Sequence, residues 1–312
     1  MGNELQKPGL LNLMGRWYDL LFKESNILKV ERSIINFALF GFLLHLVLIF
    51  SARHLPFELL QQVPSNYLKA IYTPFSIILF YEVLTLVVIL PKSITSFIGK
   101  QYEIITLIAI RSFFHDIADY DLDKPDIYTF GFMAEIGLDL IGALLMFFLT
   151  LVYYRIFEKT RKPSSGPSSR RTRFVTIKKG AAVVLSVLLF VLSVVSLSTW
   201  LIELSHAIME GGHLPNPHIV FYKDFFSIMI FVDVFLLILS FIYSGTYDLI
   251  FRNAGFVIST ILVRISLTAP KPFNIYFSLA AVLFGVLLIA LFVYFSQGAK
   301  EVSTSENENI EI

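Results

Sequence analysis

The chain of 312 residues has no cysteine, which excludes disulfides, thiolate nucleophiles and thiolate metal sites. Charge is scarce as well. Asp, Glu, Lys and Arg make up 16% of the residues, where a soluble domain carries about a quarter. The formal net charge of +1 gives no basis for a nucleic-acid partner. Also missing are His-Glu-x-x-His, Gly-x-Ser-x-Gly, a Walker A phosphate loop and a dinucleotide fingerprint. The chain is therefore expected not to be an enzyme, and no cofactor is implied.

Apolar sequence fills the space that charge leaves. Hydrophobic residues make up 56% of the chain, and the mean hydropathy is +0.72. A bilayer core is crossed by about 17 to 25 apolar residues in a helix. Windows of that length fall near 33–52, 70–90, 101–118, 130–155, 181–203, 222–243, 253–269 and 273–296. The expected fold is all-α: a polytopic integral membrane protein of about eight transmembrane helices. The third and seventh windows are short and carry an arginine within the apolar run, so a re-entrant or interfacial helix competes with a span at both. The first apolar run begins near Ser33, after a long polar lead, and is expected to be a retained span.

The loops set the direction. Of the 25 lysines and arginines, Arg111 and Arg264 lie deep within windows, and of the others only Arg53, Lys69, Lys124, Lys223 and Lys271 fall on one side. The rest gather on the other side, which predicts that both termini are cytoplasmic. Residues 1–30 form a leader in which Leu10, Leu11, Met14, Trp17, Tyr18, Leu21 and Phe22 oppose Asn12, Arg16, Asp19 and Lys23, the pattern of an amphipathic helix lying in the interface. Residues 158–180 form a Ser/Pro/Gly-containing basic linker, expected to be flexible and to attract anionic lipid headgroups. It separates membrane units at 31–157 and 181–297, and a cytoplasmic tail follows at 298–312.

The two units are related in sequence. Phe75 to Val83 aligns without a gap with Phe226 to Val234, which sets Glu82 against Asp233. Ile104 to Arg111 aligns with Val257 to Arg264, which sets one arginine against the other. Polar positions match too, Ser76 with Ser227 and Thr106 with Ser259. The expectation is two tandem four-helix repeats pointing the same way. Charges inside a bilayer are costly and are either paired or functional. Counting down from the outer helix ends makes Glu82 with Arg111, and Asp233 with Arg264, feasible ion pairs that cement each unit.

The copies differ at the fourth span. Glu135 and Asp139 are spaced i, i+4 on one helix face, and the counterpart near Phe277 to Leu288 carries no acid. Glu82, Arg111, Glu135 and Asp139 are therefore the candidate ion or proton site, because a surplus buried carboxylate takes up a proton or binds a cation. A water-filled outer vestibule holding Glu135 and Asp139 is the alternative.

An acid on the second span, the inside loop Tyr247 to Asn253 and a third span together resemble part of the voltage-sensor module of ion channels. That resemblance implies a four-helix unit. The fourth spans, however, lack a ladder of arginines, the third spans carry arginine in place of acid, and no Thr-Val-Gly-Tyr-Gly filter is present. Neither voltage sensing nor potassium conduction is expected.

Outside the spans, His54, His115, His206, His213 and His218 share the predicted outer side with Asp116, Asp119, Asp121, Asp123, Asp126, Glu203 and Glu210. Lys124-Pro125 interrupts any EF-hand pattern, so a solvated acidic loop is expected and no metal site. The spacing of Asp116, Asp119 and Asp123 is similar to one aspartate motif of intramembrane prenyltransferases, which implies magnesium and diphosphate. The second motif of that family is missing. His45, on the first span, is expected to be packed or hydrogen-bonded. The functional expectation is a transport or channel-like protein for a cation or proton. The alternative is a non-transporting scaffold or accessory subunit that holds a membrane protein partner, or a second copy of itself, in the lipid bilayer.

Overall fold

The computed structural model describes residues 10–54, 67–119, 130–160, 169–210, 221–243 and 247–310. Among them the regular structure is entirely helical: α1 (Leu10–Leu21), α2 (Glu24–His54), α3 (Tyr72–Ile89), α4 (Ile94–Asp119), α5 (Phe130–Thr160), α6 (Ser169–Glu210), α7 (Phe221–Tyr243), α8 (Tyr247–Thr268) and α9 (Phe273–Ile310). A 3₁₀ turn, Tyr67–Ile71, leads into α3. Helices are the necessary outcome for such apolar runs, because in lipid every backbone N–H and C=O must find its partner within its own segment.

Among the described residues six segments are long and apolar enough to cross a membrane: Glu24–Ser51, Tyr67–Ile89, Met133–Glu158, Thr172–Glu203, Ile250–Thr268 and Phe273–Phe295. Each of the eight expected windows coincides to within two residues with part or all of one of α2 to α9, but two fall short as spans. In α4, Lys100, Glu103, Arg111 and Asp116 break the apolar run. In α7 the described apolar stretch is only Ser227–Leu236. The seventh window, doubtful from its arginine, does qualify.

Consecutive helices pack as antiparallel hairpins, α2 on α3, α3 on α4 and α4 on α5, and again α6 on α7, α7 on α8 and α8 on α9. The halves meet chiefly where α5 packs on α9 and α4 on α8. Small residues let these helices approach closely. A side chain added at Gly142 of α5 would meet Ile275 of α9 at 2.5 Å, and one added at Gly285 of α9 would overlap the Tyr102 hydroxyl of α4. The core runs through Leu86, Tyr102, Tyr153, Leu189, Phe256 and Ile289. Around it Phe40, Leu144, Phe148, Phe190, Phe231 and Phe295 stand exposed, an apolar surface far larger than water tolerates and one that a bilayer covers.

Two expectations change at the end of the bundle that holds the α3–α4 turn. Helix α1 forms as expected, yet one of its faces docks on protein. Tyr18 is buried and donates to the Val88 carbonyl at 2.5 Å, and Asp19 receives Lys179 of α6 at 2.7 Å. Burial, with Asp19 adding to it, pushes the Tyr18 phenol up to about 12, so it remains a donor. Trp17 and Leu20, on the other face, stay exposed and suited to the interface. The second change concerns the linker: Ser169 onward is already α6. The reason is visible at Lys178, whose buried ammonium donates to the Lys92 carbonyl at 3.1 Å and ties this turn to the α3–α4 connection. Residues 161–168 lie outside the described residues.

Candidate functional site

Helix α4 touches α3, α5, α8 and α9, so its polar side chains lie inside the bundle. Near the α3–α4 turn they form a first cluster. Lys100 pairs with Glu82 of α3 at 2.5 Å and with Glu103 at 2.6 Å. Tyr154 of α5 donates to the other oxygen of Glu103 at 2.6 Å. Two carboxylates thus share one ammonium and one phenol.

The expected pair of Glu82 with Arg111 does not form, for a geometric reason. Antiparallel neighbours face each other at equal distances from the turn that joins them. Glu82 lies seven residues before the end of α3, and Lys100 six residues after the start of α4, each roughly 10 Å from the turn. Arg111 is eleven residues further along α4, roughly 16 Å deeper. Helix α4 has 26 residues against 18 in α3, so counting inward from the opposite ends misaligned the two helices.

Midway along α4 the polar groups are hydroxyls. Tyr102 meets Ser259 of α8 at 2.6 Å, and Ser259 donates to the Ala281 carbonyl of α9. Thr106 donates to the Tyr102 carbonyl at 2.7 Å and lies 3.4 Å from Thr150 of α5. Bonds of this kind allow hydroxyls to be buried without penalty.

At the far end Lys271, from the connection between α8 and α9, reaches across the halves. It bonds Asp116 of α4, and it meets Asp139 of α5 at 2.9 Å. Asp139 is only 2% exposed. Burial opposes charge on Lys271, but the hydrogen bonds and charges of the two aspartates outweigh it and hold the ammonium above its ordinary value. Replacing Lys271 with methionine takes the cation away from buried Asp139, so the protein is expected to lose about 2 kcal/mol at neutral pH. Melting in detergent measures this. The deficit should shrink as the pH falls, because protonation removes the charge that is no longer balanced.

The surplus acid is therefore neutralised from a loop in the other half, a partner invisible to any count made within one unit. Glu135 does not join Asp139: it is exposed while Asp139 is buried, one turn along the same helix. In the second half the expected pair does form. Asp233 and Arg264 approach to 4.0 Å, both 4% exposed in their side chains. His45 is hydrogen-bonded as expected, to Thr73 at 2.7 Å.

Asp121, Asp123, Asp126, His213 and His218 lie outside the described residues. Among the described residues no group of three or more His, Asp or Glu is arranged to hold a metal. Lys100, Glu103, Tyr154 and Lys271 were missed in sequence. Helix-end arithmetic from the 90–93 turn would have found Lys100, but no local signal marks Lys271.

The arrangement is that of an all-helical protein with membrane-length apolar helices, partly buried salt bridges along α4 and a buried one between α7 and α8. Comparison with known proteins brings no matching family model, no matching curated protein and no matching solved structure.

Proposed function

We propose that this chain is a membrane transport or channel-like protein that moves protons or small cations along α4. The observation that carries the reading is the polar line on that helix. It runs from Asp116 and Asp139 at one end, through Thr106, Thr150, Tyr102 and Ser259, to Glu103, Tyr154, Lys100 and Glu82 at the other. Glu103 and Asp116 are thirteen residues apart, roughly 20 Å along the axis. Carboxylates, phenols and hydroxyls in series are the groups that pass protons, and buried ionisable residues mark such paths.

In this reading α4 and α7 also cross, which gives eight spans in two parallel four-helix repeats with both termini in the cytoplasm. The matching order of packed neighbours in the halves, and the pairing of α4 with α8 and α5 with α9, support the repeat. The charges on α4 are tolerable at depth because cations and acids neutralise one another. The basic segment 158–180 would rest on anionic lipid headgroups.

Purified protein in liposomes carrying a trapped pH dye provides the test. Wild type should dissipate an imposed pH gradient, and Asp139→Asn and Glu82→Gln should each slow it about tenfold, equal to ~1.4 kcal/mol in the barrier. If wild-type vesicles leak protons, sodium and potassium no faster than empty ones, the transport reading fails.

A second reading, a non-transporting subunit that holds a membrane partner or a second copy, is favoured by one observation. Glu82, Asp116, Asp139 and Asp233 each already have a lysine or arginine beside them, as structural cement would.

A further inference from the structure

One cavity is unconnected with the α4 line. It has a volume of about 690 Å³ and lies where α1, the start of α2, the end of α3 and the first turns of α6 converge. Tyr18, Phe22, Glu24, Lys92, Val175 and Lys179 are among its lining residues. That size is within the range of small-molecule sites, roughly 300–1,000 Å³. The cavity sits at the helix ends, the level at which lipid headgroups lie.

Its charges are selective. Lys179 is already neutralised by Asp19 at 2.7 Å. Lys92 and Glu24 are both exposed, and neither forms an ion pair with another described residue. The cavity therefore offers one uncompensated cation and one uncompensated anion, with the rings of Tyr18 and Phe22 beside them. The α2–α3 seam opens further along into an apolar groove of about 270 Å³ lined by Ile35, Leu39, Phe42, Pro74 and Ile78. Glu24, Leu28, Ile35, Leu39 and Phe42 recur at helical spacing on one stripe of α2, and Glu31, which accepts from Tyr81 of α3 at 3.1 Å, stands on that stripe between cavity and groove.

We infer that this end of the bundle binds a glycerophospholipid with a zwitterionic, primary-ammonium headgroup of the ethanolamine type. Lys92 takes the phosphate oxygens. Glu24 accepts from the ammonium, whose charge also faces the aromatic rings. A glycerol headgroup has no cation to balance Glu24, and a choline headgroup has no N–H to donate to it.

Native mass spectrometry of the full-length protein in mild detergent tests this directly. The probe is an equimolar mixture of phosphatidylethanolamine, phosphatidylcholine and phosphatidylglycerol with identical acyl chains. Wild type should retain one phosphatidylethanolamine after the other two are stripped. Lys92→Ala should lower its retention about tenfold. Glu24→Gln should abolish the preference over phosphatidylcholine. Val175→Trp, which fills the cavity from α6, should remove the adduct while the apolar groove remains. Because Lys92 and Glu24 are exposed, melting of their variants should match wild type, which separates lost binding from lost folding. Retention unchanged in Lys92→Ala and Val175→Trp, a preference for phosphatidylglycerol, or retention of detergent alone overturns the inference.

Discussion

Replacing Arg264 with methionine is expected to destabilise the protein by about 3–5 kcal/mol, the cost of leaving a buried charge without its partner. Asp233 and Arg264 are both 4% exposed, and at 4.0 Å they are held by charge more than by an aligned hydrogen bond. Solvent gives Asp233 little relief once the guanidinium is gone. The double variant Asp233→Leu with Arg264→Met should recover most of the loss, because an apolar pair removes both desolvation costs together. Thermal unfolding in detergent, followed by intrinsic fluorescence, measures all three proteins. A double variant no better than Arg264→Met alone would mean that Arg264 stabilises through contacts other than Asp233. The result also separates the halves. Glu82 and Lys100 have 13% and 17% of their side chains exposed, so breaking that pair should cost less.

The second large effect is expected at Gly285. An alanine Cβ there falls on the Tyr102 hydroxyl, and Tyr102 cannot step aside. It is fully buried, bonded to Ser259 at 2.6 Å and packed edge-on against Tyr153 with ring centroids 5.0 Å apart. Overpacking of this kind costs about 1–3 kcal/mol, and the rigid surroundings place Gly285→Ala at the upper end, beyond what alanine returns in helix propensity. Tyr102→Phe should rescue only partly, since the ring carbon that carries the hydroxyl is itself 2.6 Å from the new methyl. Tyr102→Leu should rescue more. Yield of monodisperse protein and melting temperature are the readouts. A Gly285→Ala protein as stable as wild type would show that α4 and α9 can separate without cost.

Both predictions rest on side-chain neighbours, the level at which the sequence is least legible. Helix positions were readable because a bilayer imposes a length, and every window near twenty apolar residues falls on a helix to within two residues. The Asp233 to Arg264 pair was readable because both charges stand in long apolar runs with no other candidate nearby. Glu82 was different. Its partner depends on where the 90–93 turn falls and on α4 extending eight residues beyond the length of α3, and neither can be read from composition. Lys271 is harder still: it sits in a short connection whose neighbours are decided by how the halves dock. The exposed Glu135 marks the limit of spacing arguments, since i and i+4 fix the angle between two residues but not which of them the core receives.

Helix α1 has one more consequence. It packs along α6 of the second half while Tyr18 bonds the Val88 carbonyl in the first half, so α1 joins the halves at that end beside the Lys178 bond to the Lys92 carbonyl and in addition to the covalent chain. In mechanical terms α1 is a strap in parallel with the tether. A chain cut between Thr160 and Ser169 is expected to stay assembled.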